Sequence, residues 1–302
     1  MITSKQAGAV TTIVHDYSGD DNVGLLYLTS DLHIDSVYCN RDALMSDLEE
    51  AKKRNAIVFL LGDVFDAMQG RFDPRRSLDE LRPEYRRNDY YDYVVKDVAK
   101  LLKPYAQNIM LITPGNHETA VLKNASLSLI DRLVYAMNLE YGGHVLQGGY
   151  GGWVRINLHY GKNGHRTSIK MKYFHGAGGD APVTRGVIQT NRQNVYIKDA
   201  DIIVNGHNHN AYYVPIVSET LSNSGKVVFQ TTHHIRTPGY KQEYGDGTQG
   251  WAVEKGFVPK PIGGAFVQYE VHQHGLNKGK PTNIYTDIRV MPLIHAPDIS
   301  GL

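Results

Sequence analysis

The sequence predicts an α/β fold in which two β-sheets pack face to face with helices outside. Three observations predict it. In the first half, apolar runs of strand length alternate with segments of helical period, the signature of a mainly parallel sheet with crossover helices. In the second half, strand-like runs are separated by Gly, Asn and Lys turns with little helical pattern, which suggests a mainly antiparallel sheet on the first. Residues of metal-ligand type follow strands in both halves and must converge, so one sandwich domain over residues 1–302 fits better than two domains.

Taken in order, residues 1–22 are polar and glycine-containing and read as a loose arm or an edge strand. Leu25 to Leu28 reads as a buried strand ending at Thr29-Ser30-Asp31. From Arg41 to Arg54, Leu44, Leu48 and Ala51 fall at helical spacing, with acids early and bases late, which suits the helix dipole. Ile57 to Leu61 is a second strand, ending in Gly62-Asp63. Residues 68–87 then break the rhythm with six arginines, two prolines and few apolar side chains, and read as an insert. A helix from about Asp89 to Leu102, a strand at Ile109–Ile112 and a helix from Ala125 to Met137 complete the first half. Strands follow at 153–158, 168–174, 202–204, 211–217, 226–231, 265–271 and 283–290. The Gly/Tyr-rich stretch 237–264 reads as a long surface loop that Tyr240, Tyr244, Trp251 and Phe257 stabilise.

Composition narrows the function classes. With 302 residues and 41% apolar content the chain can bury a substantial core. A net charge of +1, from 32 basic and 31 acidic residues, gives no global field toward nucleic acid or membrane, so attraction for an anion must be local. The single Cys39 excludes an intramolecular disulfide and a thiolate zinc cluster. No run reaches the ~20 apolar residues that span a bilayer, and the N-terminus lacks a signal peptide's apolar stretch. The expectation is a soluble, cytoplasmic protein with no membrane partner.

Seven residues of ligand type lie directly after strands: Asp31, His33, Asp63, Asn116, His175, His207 and His209. In Asp31-Leu32-His33 and His207-Asn208-His209 an extended backbone would point both outer side chains the same way, so each pair could reach one ion. Asp63 could bridge two ions through its two oxygens, or simply cap a helix. In Gly115-Asn116-His117-Glu118 the glycine permits an unusual turn, Asn116 offers a neutral oxygen, and His117 is free to face a substrate. His175 ends a strand and precedes Gly176, a combination that His159 and His165 lack; a satisfied core histidine is the alternative. Imidazole and oxygen donors without thiolate point to Mn, Fe or Zn.

The order of these clusters resembles the calcineurin-like metallophosphoesterases, whose pattern is D-x-H, GD-x-x-D, GNH-[DE], a single His and GH-x-H. This chain carries them as Asp31/His33, Gly62 to Asp66, Gly115 to Glu118, His175 and Gly206 to His209, over roughly residues 25–215. The resemblance implies a four-layer αββα sandwich of two mixed β-sheets flanked by helices. It also implies a phosphate-ester substrate and two divalent metal ions (Mn, Fe or Zn) that hold an attacking hydroxide. Asp31, His33, Asp63 and His209 would hold one ion; Asp63, Asn116, His175 and His207 the other, with Asp63 bridging. His117 would act unligated on the attacking or leaving oxygen, oriented by Glu118 or a nearby acid, and Asp66 would orient ligands.

Substrate choice rests on the insert. Arg71, Arg75 and Arg76 follow Asp63 closely and could hold phosphate oxygens bidentately; a solvated cap pairing with Asp73, Asp79, Glu80 and Glu84 is the alternative. The second motif also resembles the nuclease branch of the family and the sugar-nucleotide pyrophosphatases. The leading expectation is a phosphodiesterase, with a DNA or RNA nuclease as one form of it. A phosphomonoesterase on a nucleotide, sugar-nucleotide or phosphoprotein is second, and a non-catalytic scaffold of the same fold is last.

Overall fold

The apolar runs become strands buried on both faces, and the amphipathic segments become helices that cover them. The structure, a computed structural model, describes residues 2–17, 23–67, 78–160, 165–179, 181, 183–184, 186–245, 251–277 and 280–295. The strands are β1 (Ile2–Ala7), β2 (Val10–Tyr17), β3 (Val23–Thr29), β4 (Ile57–Leu61), β5 (Ile109–Thr113), β6 (Leu146–Gln147), β7 (Gly151–Tyr160), β8 (His165–Phe174), β9 (Ile202–Asn205), β10 (Tyr212–Leu221), β11 (Val227–Arg236), β12 (Ile262–Asn277) and β13 (Lys280–His295). The helices are α1 (Arg41–Lys53), α2 (Tyr90–Leu102), α3 (Asn116–Ala125), α4 (Leu129–Tyr141), α5 (Val187–Tyr196) and α6 (Trp251–Glu254).

Two mixed sheets result. One has the order β13-β12-β3-β4-β5-β6 and the other β1-β2-β7-β8-β9-β11-β10. Along β4 the side chains alternate: Val58 and Leu60 pack with α1, α2 and α4, whereas Ile57, Phe59 and Leu61 pack between the sheets. Such two-sided burial is why these strands read as continuous apolar runs. A smaller apolar patch (Ile197, Ala200, Ile203) lies on the outer face of the second sheet, just after α5. No helix among the described residues is long and apolar enough to cross a membrane.

Local chemistry sets the helix ends. Asn40 caps α1 by accepting the Ala43 N–H at 3.0 Å, and Asp42 and Lys52–Lys53 suit the dipole at either end. Ser128 caps α4, which stops at Gly142 with φ +65°.

Several expectations need correction. The second sheet is not mainly antiparallel: β2–β7, β8–β9 and β9–β11 pair in parallel. Of the two readings of the N-terminal residues, the edge strand holds: residues 2–17 form a hairpin at that sheet's edge. The helix expected over Ala125–Met137 is α4, which starts later, at Leu129, and a further helix that was not expected, α3, precedes it and begins inside the candidate ligand cluster at Asn116. The helix α5 was not expected at all: the residues it buries are Thr190 and Gln193, so it has no apolar stripe to read. Residues 237–241 are buried instead of lying on the surface.

Candidate metal centre

The C-terminal ends of β3, β4 and β5 in one sheet and of β8 and β9 in the other meet at one edge of the sandwich, where strand ends of open α/β sheets commonly hold ligands. Backbone hydrogen bonds continue past the strands and zip the loops together. The N–H groups of Asp31 and His33 donate to the carbonyls of Gly62 and Asp63 at 2.9 and 3.1 Å. On the other sheet Gly206 donates to the His175 carbonyl at 2.8 Å.

The paired ligands do not use extended backbone. Asp31, His33, Asp63, His207 and His209 have φ of +53°, +46°, +51°, +78° and +54°. Left-handed backbone costs an L-residue about 1–2 kcal/mol, least for Asp, Asn and His, so these turns are held by their surroundings. Two left-handed residues separated by one other replace the alternation of a strand as the way of aiming i and i+2 together. Gly115 needs no positive φ either. Its role is close approach, since a Cβ there would lie 2.1 Å from Asp63 Oδ1.

All seven predicted ligands come together. Asp31, His33 and His209 form one group and Asp63, His175 and His207 another; in each, one donor atom per residue lies within 4.8 Å of the others. A third such group joins His33, Asp63 and His117, so Asp63 belongs to two. Asn116 Oδ1 completes the picture, 2.7 Å from His207 Nδ1 and 3.2 Å from His175 Nε2.

Ring orientations test whether the donors suit a cation. His175 Nδ1 faces the Leu61 carbonyl at 3.0 Å and must donate, because a carbonyl only accepts. Its Nε2 then confronts two acceptors, Asp63 Oδ2 at 3.1 Å and Asn116 Oδ1 at 3.2 Å. Only a proton or a metal cation satisfies that arrangement. Burial alone would lower the His175 pKa, but the charges of Asp63 and Asp31 prevail and push it up to about 10. His33 differs: Nδ1 lies 2.9 Å from the carboxylate oxygen Oδ1 of Asp66, and Nε2 lies 3.3 Å from His209 Nε2. Burial pushes His33 down to about 4 against the pull of Asp66, which leaves Nε2 a lone-pair donor. The donor set fits divalent cations, and the carboxylate behind His33 is the usual support for a metal-binding imidazole.

The supporting residues divide differently from expectation. Glu118 does not orient His117. Its carboxylate accepts from the N–H groups of Asp63, Phe65 and Gly115 at 3.2, 2.9 and 2.8 Å, and so ties β4's loop to β5's. His117 instead sets Nδ1 against the backbone carbonyl of Asp66, with Nε2 3.8 Å from Asp63 Oδ2. Burial lowers the His117 pKa, but Asp63 and Asp66 outweigh it and raise the net value. Asp66 sits under His33, with Oδ1 2.9 Å from Nδ1. Its own N–H donates to Asp35 Oδ1 at 2.6 Å, so Asp35 braces this loop and leaves the capping of α1 to Asn40.

Arg71, Arg75 and Arg76 lie outside the described residues. In the rest of the insert, Arg82 and Arg86 bond main-chain carbonyls and Arg87 pairs with Asp89 at 2.8 Å. His234 is buried in the sheet, and His233 bonds Tyr213 at 2.8 Å.

Sequence reasoning missed Arg236 and Lys241, both buried beside the site. Arg236 donates to the Gly206 carbonyl at 3.0 Å, behind His207. Lys241 lies 3.2 Å from Asp66 Oδ1; burial opposes its charge, yet Asp66, Glu243 and Glu80 raise its pKa. Arg236 ends β11, whereas Lys241 lies five residues beyond it. A cation at a strand end is the signal that could have found Arg236.

A conserved uncharacterized protein from Streptococcus pneumoniae, described as a predicted phosphoesterase, is 14% identical with a TM-score of 0.28; the match covers 88% of this chain and 98% of that one. GAP50, described as the anchor in the inner membrane complex of Plasmodium, is 13% identical with a TM-score of 0.41, covering 88% of each chain. No curated protein matches. A family model described as calcineurin-like phosphoesterase matches residues 25–211, which span all five clusters. The chain belongs to the calcineurin-like phosphoesterase family.

Proposed function

We propose that the protein is a phosphodiesterase built around two divalent ions that share Asp63. The observation that carries this reading is the membership of Asp63 in two donor groups, with His175 and His207 in one and His33 and His117 in the other. When bound, such ions supply Lewis acidity that activates water and offsets phosphate charge. Asp31, His33 and His209 would hold one ion together with Asp63; Asn116, His175 and His207 would hold the other. His117 Nδ1 donates to the Asp66 carbonyl, so Nε2 carries a proton only in the imidazolium, the form that the charges of Asp63 and Asp66 favour; from there it would be delivered to the departing alkoxide, leaving the neutral ring with its proton on Nδ1.

A diester is favoured over a monoester by charge. Among the described residues, the two buried cations beside the site are already engaged, Arg236 with Gly206, Gln189 and Tyr212, and Lys241 with Asp66 and Glu80. A singly charged diester asks less of the remaining positive charge than a doubly charged monoester. Purified protein supplied in turn with Mn, Fe and Zn should hydrolyse bis(p-nitrophenyl) phosphate faster than p-nitrophenyl phosphate. Single-stranded DNA and RNA form further arms of the same panel. Absence of diester turnover with all three metals would refute the reading, and preference for the monoester would replace it with a phosphomonoesterase.

A further inference from the structure

The segment after β11 lies beyond the residues that match the family model, yet it straps across the first ligand loop. Tyr240 N–H donates to the Asp31 carbonyl at 2.9 Å, Asn40 N–H to the Tyr240 carbonyl at 3.0 Å, and Gln242 N–H to the Tyr38 carbonyl at 2.8 Å. Those main-chain bonds place Lys241, 8% exposed, with its ammonium facing inward. The Nζ lies 3.2 Å from Asp66 Oδ1, 3.4 Å from Glu80 Oε2 and 3.8 Å from Glu243 Oε1. The same Asp66 oxygen lies 2.9 Å from His33 Nδ1. One carboxylate oxygen is therefore shared between an ammonium and an imidazole whose other nitrogen points into the cluster with Asp31 and His209.

We propose that Lys241 is a positioning residue for one of the two metal sites: through Asp66 it fixes the ring of His33 and so tunes the ion held with Asp31 and His209. The inference rests on the metal-centre reading above. A carboxylate pinned on one side by a cation cannot turn away from the imidazole, and it keeps the His33 tautomer that leaves Nε2 free. The second site has a different support, because His175 is held by the main-chain carbonyl of Leu61. The consequence is asymmetric. Loss of the Lys241 charge should weaken one ion and spare the other, whereas a merely structural ion pair would weaken both or neither.

The test is titration of the full-length, metal-free protein with cobalt(II), followed by its visible d–d absorption, for wild type, Lys241→Met, Lys241→Gln, Asp66→Asn and the double variant Lys241→Met/Asp66→Asn. Melting temperatures of the metal-free forms are recorded beside it. Wild type should take up two cobalt ions. Each single variant should bind one of them about 10- to 100-fold more weakly, with the other unchanged. The double variant should lose little more than Asp66→Asn alone, because both changes act on one connection. Equal weakening of both sites, no weakening in either Lys241 variant, or losses that add in the double variant would overturn the inference while leaving the metal-centre reading intact. A wild-type protein that binds no cobalt would overturn both.

Discussion

His175 Nδ1 lies 3.0 Å from the main-chain carbonyl of Leu61, the last residue of β4, so the second sheet's imidazole is oriented by the first sheet's backbone. The contact commits Nε2 to Asp63 and Asn116 on the far side of the ring. His175→Ala should therefore remove one ion and lower kcat/KM by on the order of 100-fold or more, since even residues behind a ligand cost 10–100-fold when removed. Metal analysis together with turnover checks it. Full metal content in the variant would return His175 to the role of a core histidine.

His117 Nδ1 faces the backbone carbonyl of Asp66, and its Nε2 lies 3.8 Å from Asp63 Oδ2. His117→Gln should retain metal and lower kcat by about 10²- to 10⁴-fold, the usual range for losing a general acid or base. Loss of an ion in this variant would instead make His117 a ligand with His33 and Asp63.

Close approach of main chain to ligand makes two glycines sensitive. A Cβ on Gly115 would meet Asp63 Oδ1 at 2.1 Å, and one on Gly206 would meet Ser30 Oγ at 2.1 Å and Asp31 Oδ2 at 2.4 Å. Gly115→Ala and Gly206→Ala should each cost about 1–3 kcal/mol by overpacking and lower metal affinity. Denaturant unfolding and metal titration measure the two effects, and unchanged values in both would contradict the packing described.

Much of this was legible from the chain and some was not, for physical reasons. The strands β3, β4 and β5 are covered on both faces, so their apolar runs announce them; α1 carries its cap and its apolar stripe. The helix α3 hides because its first turn is made of site residues and buries His117 and Glu118. The candidate ligands were legible because each follows a strand. Their left-handed backbone was not, since neighbouring loops impose it. Glu118, Arg236 and Lys241 take their roles from contacts remote in sequence, such as the 175 residues between Lys241 and Asp66.

Cys39 should make the protein lose stability in alkali. Burial raises its thiol from an ordinary 9.0 to about 12. Above pH 9 the unfolded chain releases this proton and the folded one keeps it, so stability falls as pH rises, by up to about 1.4 kcal/mol per unit for one group. Between pH 9 and 10 the wild type should therefore lose about 1 kcal/mol more than Cys39→Ala. Equal losses in urea unfolding would show that the thiol titrates normally.

The central claim is that two ions share Asp63. Its most direct measurement is metal content per chain by elemental analysis after equilibration with manganese and dialysis, for wild type and Asp63→Asn, with folding checked by circular dichroism. The account predicts two ions for the wild type and fewer than two for a folded Asp63→Asn that no longer hydrolyses bis(p-nitrophenyl) phosphate. A wild type that holds one ion or none, or an Asp63→Asn that keeps both, would contradict it.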